Sequence, residues 1–503
     1  MRFLAFGKRL GTWELYKMSP PGLIKNKYLP TIGIECHVQL KTKTKLFSAV
    51  SNDASKASPN SLISHIDVGL PGALPVLNEA AVELAARAAF ALGTTPQPFS
   101  RFDRKHYFYP DLPKGYQISQ YEQPLIVGGA VEIWVDGVAK QVGIIRAHLE
   151  EDAGKNSHPL GVDYSLVDLN RAGTPLLEIV SAPDLHSAAE AKIFARELYL
   201  LMRYAGISDC NLYLGHMRFD VNVSVSAEPQ KLGLRSEIKN LNSFRSVEAA
   251  VAYEIKRQVD LLEKGQAVIQ ETRGWDEAKQ KTTAQRGKEE AEDYRYMPEP
   301  DIPPIELDDK YMGNLKSQMP ILPADIREKL KTLDIDPKVI EDVLDRPFIV
   351  PAVLEILEKA GVRSARFAIF WILHSQLGEI ETEKGKISQV DLDWKKIKQL
   401  TEIVDEGKLS STSARAVFKE LIYGSTDAWP LEIAEHLNLL QVSDESEIEK
   451  FVAEAIKENP RVVEDIKNGQ QKAISFLIGQ VMKKSKGQAN PQTAQKLIKQ
   501  QLG

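Results

Sequence analysis

Glu35 and His37 are separated by one residue within a segment of alternating apolar and polar side chains, residues 32–40. Because side chains on a β-strand point alternately to its two faces, Glu35 and His37 would lie on the same face. Two interpretations stay open from this segment alone. The pair is either the solvated side of a half-buried strand or a pair of metal ligands.

Two further acidic sites lie downstream. Glu150, Glu151 and Asp152 are consecutive, but most acidic runs are solvated surface, so this run alone does not indicate a site. Glu178 interrupts an otherwise apolar segment, residues 176–180, where a buried carboxylate needs a cation, a hydrogen-bond network or a proton. Oxygen ligands with one imidazole suit Mg²⁺, or Mn²⁺ as a substitute, and such cations often hold phosphates in ATP-using sites.

A loop-like segment, residues 102–116, combines bases, aromatic residues and turn formers. Lys105 and Lys114 could pair with phosphate or carboxylate groups, while Tyr107 could line a polar cavity. A structural loop anchored by its tyrosines is the alternative.

Residues 237–245 run from a predicted strand into a predicted helix that ends near Gly265. Asn242 or Ser243 could cap this helix, and Lys239 and Arg245 flank its N-terminus. The free N–H groups and the dipole of a helix N-terminus favour anions, so the segment is either an anion site or a simple cap.

Three lysines within four residues follow an apolar helical segment near the end of the chain: Lys483, Lys484 and Lys486. They either contact nucleic-acid phosphates or form a solvated helix end.

The composition is that of a multidomain globular protein. The chain has 503 residues, 43% hydrophobic and 26% charged, and lacks an apolar run of about 18 residues, the length of a membrane span. Cys36 and Cys210 are its only cysteines, which excludes a disulfide framework and a four-cysteine zinc site within the chain. Because the net charge is −5, any RNA-binding surface must be local.

The predicted fold class is α+β. Residues 31–307 read as a mixed body of short strands and a few helices, and helical spacing dominates afterwards. We predict a disordered extension at 1–30, in which Met18 is an alternative start, the catalytic body at 31–307, a helical arm at 308–390 and a small helical tail domain at 391–503.

The segment Asp-Leu-Asn-Arg-Ala-Gly-Thr-Pro-Leu-Leu-Glu-Ile-Val-Ser, residues 168–181, resembles the signature of a known family, the B subunits of the aspartyl/glutamyl-tRNA amidotransferases. Residues 479–491 are similar to the YqeY-like domain that ends these subunits. Five other segments support the resemblance, in the family's order: residues 33–40, 109–118, 148–155, 239–244 and 293–304.

The resemblance implies an enzyme that phosphorylates the side-chain carboxylate of misacylated Glu-tRNA(Gln) or Asp-tRNA(Asn) with ATP, after which ammonia forms the amide. The implied metal ligands, for Mg²⁺ or Mn²⁺, are Glu35, His37, Glu151 and Glu178, with Glu150 as an alternative or additional ligand. Catalytic roles are implied for Glu151, Glu178, Lys105, Tyr107 and Lys114, the last three along a polar ammonia passage. Arg171, Lys239 and Arg245 are assigned to ATP, and Lys483, Lys484 and Lys486 to tRNA.

Two departures from the family pattern shape the remaining expectations. Many relatives carry a four-cysteine zinc knuckle in the region that corresponds to residues 47–69, which is free of cysteine here, so we expect no structural zinc. An amidase signature with a nucleophilic serine is also missing, so the implied partners are the A and C subunits, of which the first is a glutaminase and the second is small. The expected location is the cytoplasm, without membrane association.

Two alternatives stay open: a tRNA-binding scaffold of the same fold without catalysis, and another ATP-dependent ligase or kinase with a small-molecule substrate. A buried Glu178 disfavours the first, and the long helical region disfavours the second.

Overall fold

The computed structural model describes residues 27–502, except residue 160 and the segments 229–230, 288–292, 375–391, 425–426, 442–444, 468–469, 471–472 and 486–487. Most of the predicted N-terminal extension, including Met18, and the boundary predicted near residue 390 lie outside the described residues. The chain divides into two compact units, one ending at Leu322 and the other beginning at Pro323.

The first unit contains all the described strands and four helices. Its strands are β1 (Leu29–Gln39), β2 (Phe99–Ser100), β3 (Asp103–His106), β4 (Tyr116–Ser119), β5 (Ile126–Val127), β6 (Ala130–Val135), β7 (Val138–Glu151), β8 (Lys155–Ser157), β9 (Leu166–Asp168), β10 (Pro175–Ser181), β11 (Met217–Ser226), β12 (Ser236–Leu241), β13 (Glu271–Asp276), β14 (Lys281–Gly287), β15 (Met297–Pro298) and β16 (Ile305–Glu306). Its helices are α1 (Glu79–Ala91), α2 (Ala188–Tyr204), α3 (Phe244–Glu263) and α4 (Asp309–Ser317).

The second unit is helical throughout its described residues. Its helices are α5 (Pro323–Lys331), α6 (Pro337–Leu344), α7 (Val350–His374), α8 (Trp394–Asp405), α9 (Ser411–Tyr423), α10 (Pro430–His436), α11 (Glu445–Glu458), α12 (Pro460–Lys467), α13 (Ala473–Lys484) and α14 (Pro491–Leu502). The predicted α+β fold class is confirmed.

One large sheet organises the first unit. Its strand order is β14-β13-β12-β11-β1-β10-β7-β4-β3-β15, with β5 and β6 also paired to β7. The pairings are antiparallel except that between β12 and β13, which is parallel. Strand β1 therefore lies inside the sheet, between β10 and β11, and its polar residues face side chains on both neighbours.

The two faces of this sheet have different chemistry because apolar and polar residues alternate along its central strands. On β1, Ile32, Ile34, Cys36 and Val38 are buried in the hydrophobic core, while the residues between them are half-buried on the other face. Helices α1, α2 and α3 pack on the apolar side and contribute alanine, phenylalanine, leucine and valine side chains to the same core. Residues with functional chemistry are thereby concentrated on the opposite face.

Helix α3 is fixed to the sheet by a buried charge network around Glu254. Its side chain is fully buried and accepts hydrogen bonds from Arg257 (2.6 Å), Gln258 (2.9 Å) and Thr282 (3.2 Å). Arg273 lies 3.5 Å from the same carboxylate. The network joins α3 to β13 and β14, and its hydrogen bonds offset the cost of removing the carboxylate from water.

The long connection between β1 and α1 is held by a second buried ion pair. Lys45 Nζ lies 3.1 Å from Asp67 Oδ2, with exposed side-chain fractions of 0% and 2%. Lys45 also donates to the carbonyl of Leu62 (2.7 Å), and the backbone N–H of Ser64 donates to Asp67 (2.7 Å). These bonds fix the part of the connection between Lys45 and Asp67.

In the second unit, proline and glycine mark the starts and breaks of helices. Helices α5 and α6 begin at Pro323 and Pro337. Helix α7 is interrupted at Gly361, which has a φ of 84°, a conformation that favours glycine. Near the chain end, Ile448, Val452, Leu477 and Leu497 belong to a buried cluster formed by α11, α13 and α14.

We predict that Glu254→Ala lowers the free energy of unfolding of the first unit by about 3–5 kcal/mol, because Arg257 and Arg273 lose their buried counter-ion. Chemical denaturation of the full chain, followed by tryptophan fluorescence, measures the change. Glu263→Ala, on an exposed position of the same helix, is the control and should shift stability by less than about 0.5 kcal/mol. Equal stability of the two variants would contradict the structural role of the network.

The Glu254 network also predicts how the stability of the first unit depends on pH. Burial alone would raise the pKa of Glu254, but hydrogen bonds from Arg257 and Gln258 outweigh it and lower the pKa. A lowered folded-state pKa contributes stability that is complete above the ordinary glutamate value of about 4.3 and is lost as the pH falls through the folded-state value. The stability difference between the wild type and Glu254→Gln should therefore be constant near neutrality and narrow below about pH 4.

Candidate metal centre

The polar face of the sheet carries a row of charged side chains across four neighbouring strands. In the β-sheet register, His148 on β7 lies opposite Glu178 on β10, Glu178 lies opposite His37 on β1, and His37 lies opposite Arg218 on β11. Glu150 is two residues beyond His148, on the same face of β7. Adjacent strands are about 4.8 Å apart, so this register alone brings the side chains within ligand distance of one another.

Two carboxylates and two imidazoles converge in this row. His37 Nε2 lies 3.6 Å from Glu178 Oε2 and 3.7 Å from Glu150 Oε1. His148 Nε2 lies 3.4 Å from Glu178 Oε2 and 3.7 Å from Glu150 Oε2. The ligand atoms of His37, Glu150 and Glu178 all fall within 4.8 Å of one another, which is the arrangement of a metal-binding group. We call these four residues the carboxylate–histidine group.

The group is electrostatically coupled. Burial alone would lower the pKa of both imidazoles, but the Glu178 and Glu150 carboxylates outweigh it and raise the pKa of His37 and of His148 to about 9. Conversely, burial would raise the pKa of the two carboxyls, and the histidines hold the pKa of Glu178 well below its usual range and lower that of Glu150. The two carboxylates thus require positive charge beside them, supplied either by imidazolium protons or by a cation.

The chemistry of the donors fits a divalent cation. The imidazole-to-carboxylate distances of 3.4–3.7 Å exceed those of good hydrogen bonds, and two carboxylates that converge with imidazole nitrogens form a donor set that can hold a divalent cation. His148 Nδ1 is buried and has no hydrogen-bond partner among the described residues, so its ring is oriented mainly through Nε2. Carboxylates suit Mg²⁺ and Mn²⁺, and a second imidazole favours Mn²⁺ of the two.

Two predicted ligands lie beside the group rather than in it. Glu35 is on the same face of β1, but its Oε1 accepts a hydrogen bond from Asn222 (2.9 Å). Burial, followed by the neighbouring Glu178 carboxylate, raises the pKa of Glu35. Glu151 forms an ion pair with Lys114 and accepts from the backbone N–H of Ile118 (2.9 Å), so the structure brings Glu150, and not Glu151, to His37 and Glu178.

The predicted passage residues lie in and around the connection between β3 and β4. Lys105 Nζ is 5.8 Å from the centroid of the Tyr107 ring and 4.8 Å from that of Tyr294, which is a cation–π arrangement. Burial, and then the Glu150 carboxylate, raises the pKa of Tyr107, so its hydroxyl stays protonated at neutral pH. A surface cavity of about 450 Å³ is lined by Lys114 and the apolar residues around it, including Phe108 and Leu112.

The residues assigned to ATP are spread over three places. Arg171 lies 3.2 Å from Asp152 and donates to the carbonyls of Ala153 (3.0 Å) and Gly154 (2.7 Å). Lys239 contacts Glu237 (2.9 Å) and Asp220 (3.5 Å), whereas Arg245 is exposed in the first turn of α3. The predicted cap is confirmed at Ser243, whose side chain accepts from the Ser246 N–H.

Of the lysines assigned to tRNA, Lys483 is exposed at the end of α13. Lys484 pairs with Glu458 (2.7 Å) and Glu454 (3.2 Å) on α11. Lys486 lies outside the described residues.

Sequence reasoning missed His148 as a member of the group and Asp152, Arg218 and Asn222 as its neighbours. A signal for three of them was present. His148 precedes Glu150 by two residues, and Arg218 and Asn222 alternate with the apolar residues of β11, as Glu35 and His37 do on β1. Polar residues at a period of two in several apolar strands indicate one polar sheet face.

Comparison with known proteins identifies the family. The family model for the GatB/GatE catalytic domain matches residues 30–313, and that for the GatB domain matches residues 353–502. The chain is 42% identical over 488 residues to the B subunit of the aspartyl/glutamyl-tRNA(Asn/Gln) amidotransferase of Carboxydothermus hydrogenoformans, covering 95% of this chain and 99% of the relative. The chain belongs to the family of amidotransferase B subunits.

Two other proteins of the same name show similar agreement. That of Halalkalibacterium halodurans is 42% identical over 474 residues, 94% of this chain and 98% of the relative. That of Thermotoga petrophila is 41% identical over 485 residues, 95% of this chain and 99% of the relative. The family predicted from residues 168–181 and the supporting segments is therefore confirmed, and with it the class of a tRNA-dependent amidotransferase component. Within the described residues, every helix is too short or too polar to cross a membrane.

We predict that the carboxylate–histidine group binds one Mn²⁺ and that Glu178→Gln weakens this binding at least about tenfold, because a charged oxygen ligand is lost. Electron paramagnetic resonance titration of free Mn²⁺ measures the affinity, and the melting temperature should rise with Mn²⁺ only when the ion is bound to the folded state. Glu237→Gln, which changes a carboxylate two strands from His37, is the matched control and should retain wild-type affinity. Unchanged affinity in Glu178→Gln would contradict the assignment.

Proposed function

We propose that this chain is the phosphorylating component of a tRNA-dependent amidotransferase. It activates the side-chain carboxylate of misacylated Glu-tRNA(Gln), Asp-tRNA(Asn) or both with ATP, and ammonia then converts the activated group to an amide. The observation that carries the proposal is the partly buried carboxylate–histidine group of a chain that shares 42% identity with a B subunit over 95% of its length.

The chemistry requires two displacements. In the first, a side-chain carboxylate oxygen of the aminoacyl ester attacks the γ-phosphorus of ATP, the bond to the bridging oxygen breaks, and ADP leaves. In the second, ammonia attacks the acyl carbon, phosphate leaves with the bonding electron pair, and the nitrogen loses a proton to give the amide. The activation is needed because a free carboxylate is a poor electrophile.

The carboxylate–histidine group is suited to the first displacement. A bound Mg²⁺ or Mn²⁺ would offset the negative charge of the ATP phosphates, as in other phosphoryl-transfer sites. Glu150 and Glu178 would hold this cation, and His37 and His148 would complete its protein ligands. Glu35, fixed by Asn222, adds a further carboxylate on the same face. The assignments of Glu35 and Glu151 as direct ligands stay predictions.

In the second displacement, ammonia must reach the acyl carbon unprotonated and without escaping into the solvent. Lys105, Tyr107 and Lys114 are assigned to the route because Lys114 contacts Glu151, Tyr107 lies in the field of Glu150, and Lys105 lies over the Tyr107 ring. The Lys114–Glu151 ion pair, with exposed fractions of 5% and 3%, would restrict water at this point. Ammonia would come from a glutaminase, the A component of a heterotrimer whose third and smallest member is the C component.

The remaining assignments complete the proposal. The helical region would bind the tRNA by shape and backbone contacts, as a helical arm at 308–390 and a tail domain at 391–503, and Arg171, Lys239 and Arg245 would contact ATP. The proposed location is the cytoplasm, where misacylated tRNA would be the substrate.

The decisive experiment follows transfer of the γ-phosphate from radiolabelled ATP to Glu-tRNA(Gln), and separately to Asp-tRNA(Asn), in a complex with candidate A and C components and without glutamine. We expect a labelled acyl phosphate on the aminoacyl-tRNA that depends on Mg²⁺ or Mn²⁺ and whose formation falls at least about 100-fold in Glu178→Gln, while tRNA affinity is kept. Tight tRNA binding without any acyl phosphate in the wild type would favour the scaffold alternative and overturn the proposal.

The tail lysines provide an independent prediction on tRNA binding. Lys483 has no salt bridge among the described residues, whereas Lys484 is paired with Glu454 and Glu458. If the tail contacts phosphates, Lys483→Ala should weaken tRNA binding two- to tenfold and reduce the slope of log affinity against log salt by about 0.7–0.9, more than Lys484→Ala does. Lys499→Ala, exposed on α14, is the control. Filter binding at several salt concentrations measures the slopes, and identical slopes for all three variants would contradict the contact.

A further inference from the structure

Arg218 lies next to the carboxylate–histidine group, yet few of its hydrogen-bond donors are used. It is on β11, directly opposite His37 in the register, and its side chain is 18% exposed. Its one hydrogen bond among the described residues runs from Nη2 to Asp152 Oδ2, at 3.1 Å. A guanidinium group has five N–H donors in a planar fork, so most of this fork is available to a ligand.

The contacts around Asp152 also leave much of the Arg218 fork uncommitted. Asp152 is shared by two guanidinium groups, Arg218 at 3.1 Å and Arg171 at 3.2 Å, so one carboxylate faces two positive charges. Arg171 donates from Nε to the carbonyl of Ala153 and from Nη2 to that of Gly154, so its donors hold the loop that follows β7. Arg218 has no such backbone contacts among the described residues. Arg218 thus presents a partly buried and largely uncommitted guanidinium fork beside the predicted cation site.

We propose that Arg218 binds the γ-phosphoryl group of ATP and stabilises the charge that spreads over its oxygens during transfer to the substrate carboxylate. The inference rests on the function proposed above and adds to it a residue that contacts the reacting group. As the carboxylate oxygen bonds to the γ-phosphorus and the bridging oxygen leaves with ADP, Arg218 donates N–H groups to the non-bridging oxygens and transfers no proton. Asp152 acts as a positioning residue because it orients the fork.

The test compares Arg218→Met and Arg218→Lys in the complete amidotransferase complex, with the labelled-phosphate assay on Glu-tRNA(Gln) and Asp-tRNA(Asn). We expect the rate constant of acyl-phosphate formation to fall about 1,000-fold in Arg218→Met and about 10- to 100-fold in Arg218→Lys, which keeps the charge but loses the fork. The affinity for aminoacyl-tRNA should stay close to the wild-type value, since the phosphoryl contact forms only during transfer, and the loss of stability from the broken Asp152 ion pair should be matched in Asp152→Asn.

The variant Asp152→Asn distinguishes a role of Arg218 in phosphate binding from a purely structural role in the ion pair. This variant breaks the same ion pair with little change in shape while Arg218 remains, so we expect it to keep at least about a tenth of the wild-type rate. Arg87→Met, on α1, is a general control and should leave the rate unchanged.

Three outcomes would overturn the inference. An active wild type with an equally active Arg218→Met would refute the phosphoryl contact and leave the proposed function standing. A loss in Asp152→Asn as large as that in Arg218→Met would assign Arg218 a structural role. An inactive wild type would overturn both the proposed function and this inference.

Discussion

The polar site of the first unit depends on two largely buried carboxylates that are held side by side. Glu150 and Glu178 lie on neighbouring strands, and each has a side-chain exposed fraction of 15% or less. Two such charges repel each other and lose much of their hydration, so they can stay ionised only with positive charge beside them. His37 and His148 supply it within 3.4–3.7 Å, and a divalent cation would supply it with neutral imidazoles. The surrounding sheet must be rigid enough to hold all four side chains at these distances.

That rigidity comes from the separation of the two sheet faces. The apolar side chains of β1 pack with α1, α2 and α3 in one core, which leaves the polar face free for chemistry. The buried network of Glu254 locks α3 against β13 and β14, and the Lys45–Asp67 pair fixes the connection that follows β1. Both are buried ion pairs with additional hydrogen bonds, which is the condition under which burying charge is tolerated. The first unit is thus stabilised by apolar packing in its core, and buried ion pairs fix helix α3 and the β1–α1 connection.

Basic side chains border the acidic residues on the polar face of the sheet. Beyond the carboxylate–histidine group, Arg218 shares Asp152 with Arg171 on one side, and Lys239 lies beside Asp220 and Glu237 on the other. Burial alone would lower the pKa of Lys239, but Asp220 and Glu237 raise it, so the lysine keeps its charge. Acidic residues that could hold a cation are therefore bordered by basic residues that could hold the anions this cation accompanies. Such an arrangement suits phosphoryl transfer, in which nearly all of the catalysis is positioning and electrostatic stabilisation.

The sequence by itself determined the fold class, the family, the shared strand face of Glu35 and His37, the unusual carboxylate Glu178 and a helix cap at Asn242 or Ser243. Each of these depends on local periodicity, a cap or a motif that neighbouring residues carry. Only the tertiary structure decided that Glu150 meets His37 and Glu178, that His148 joins them, and that Glu151 pairs with Lys114. These contacts join strands that are distant in the chain, and their register follows from core packing and strand pairing. Moving one strand by a single residue would exchange its two faces, and no local pattern in the sequence fixes that choice.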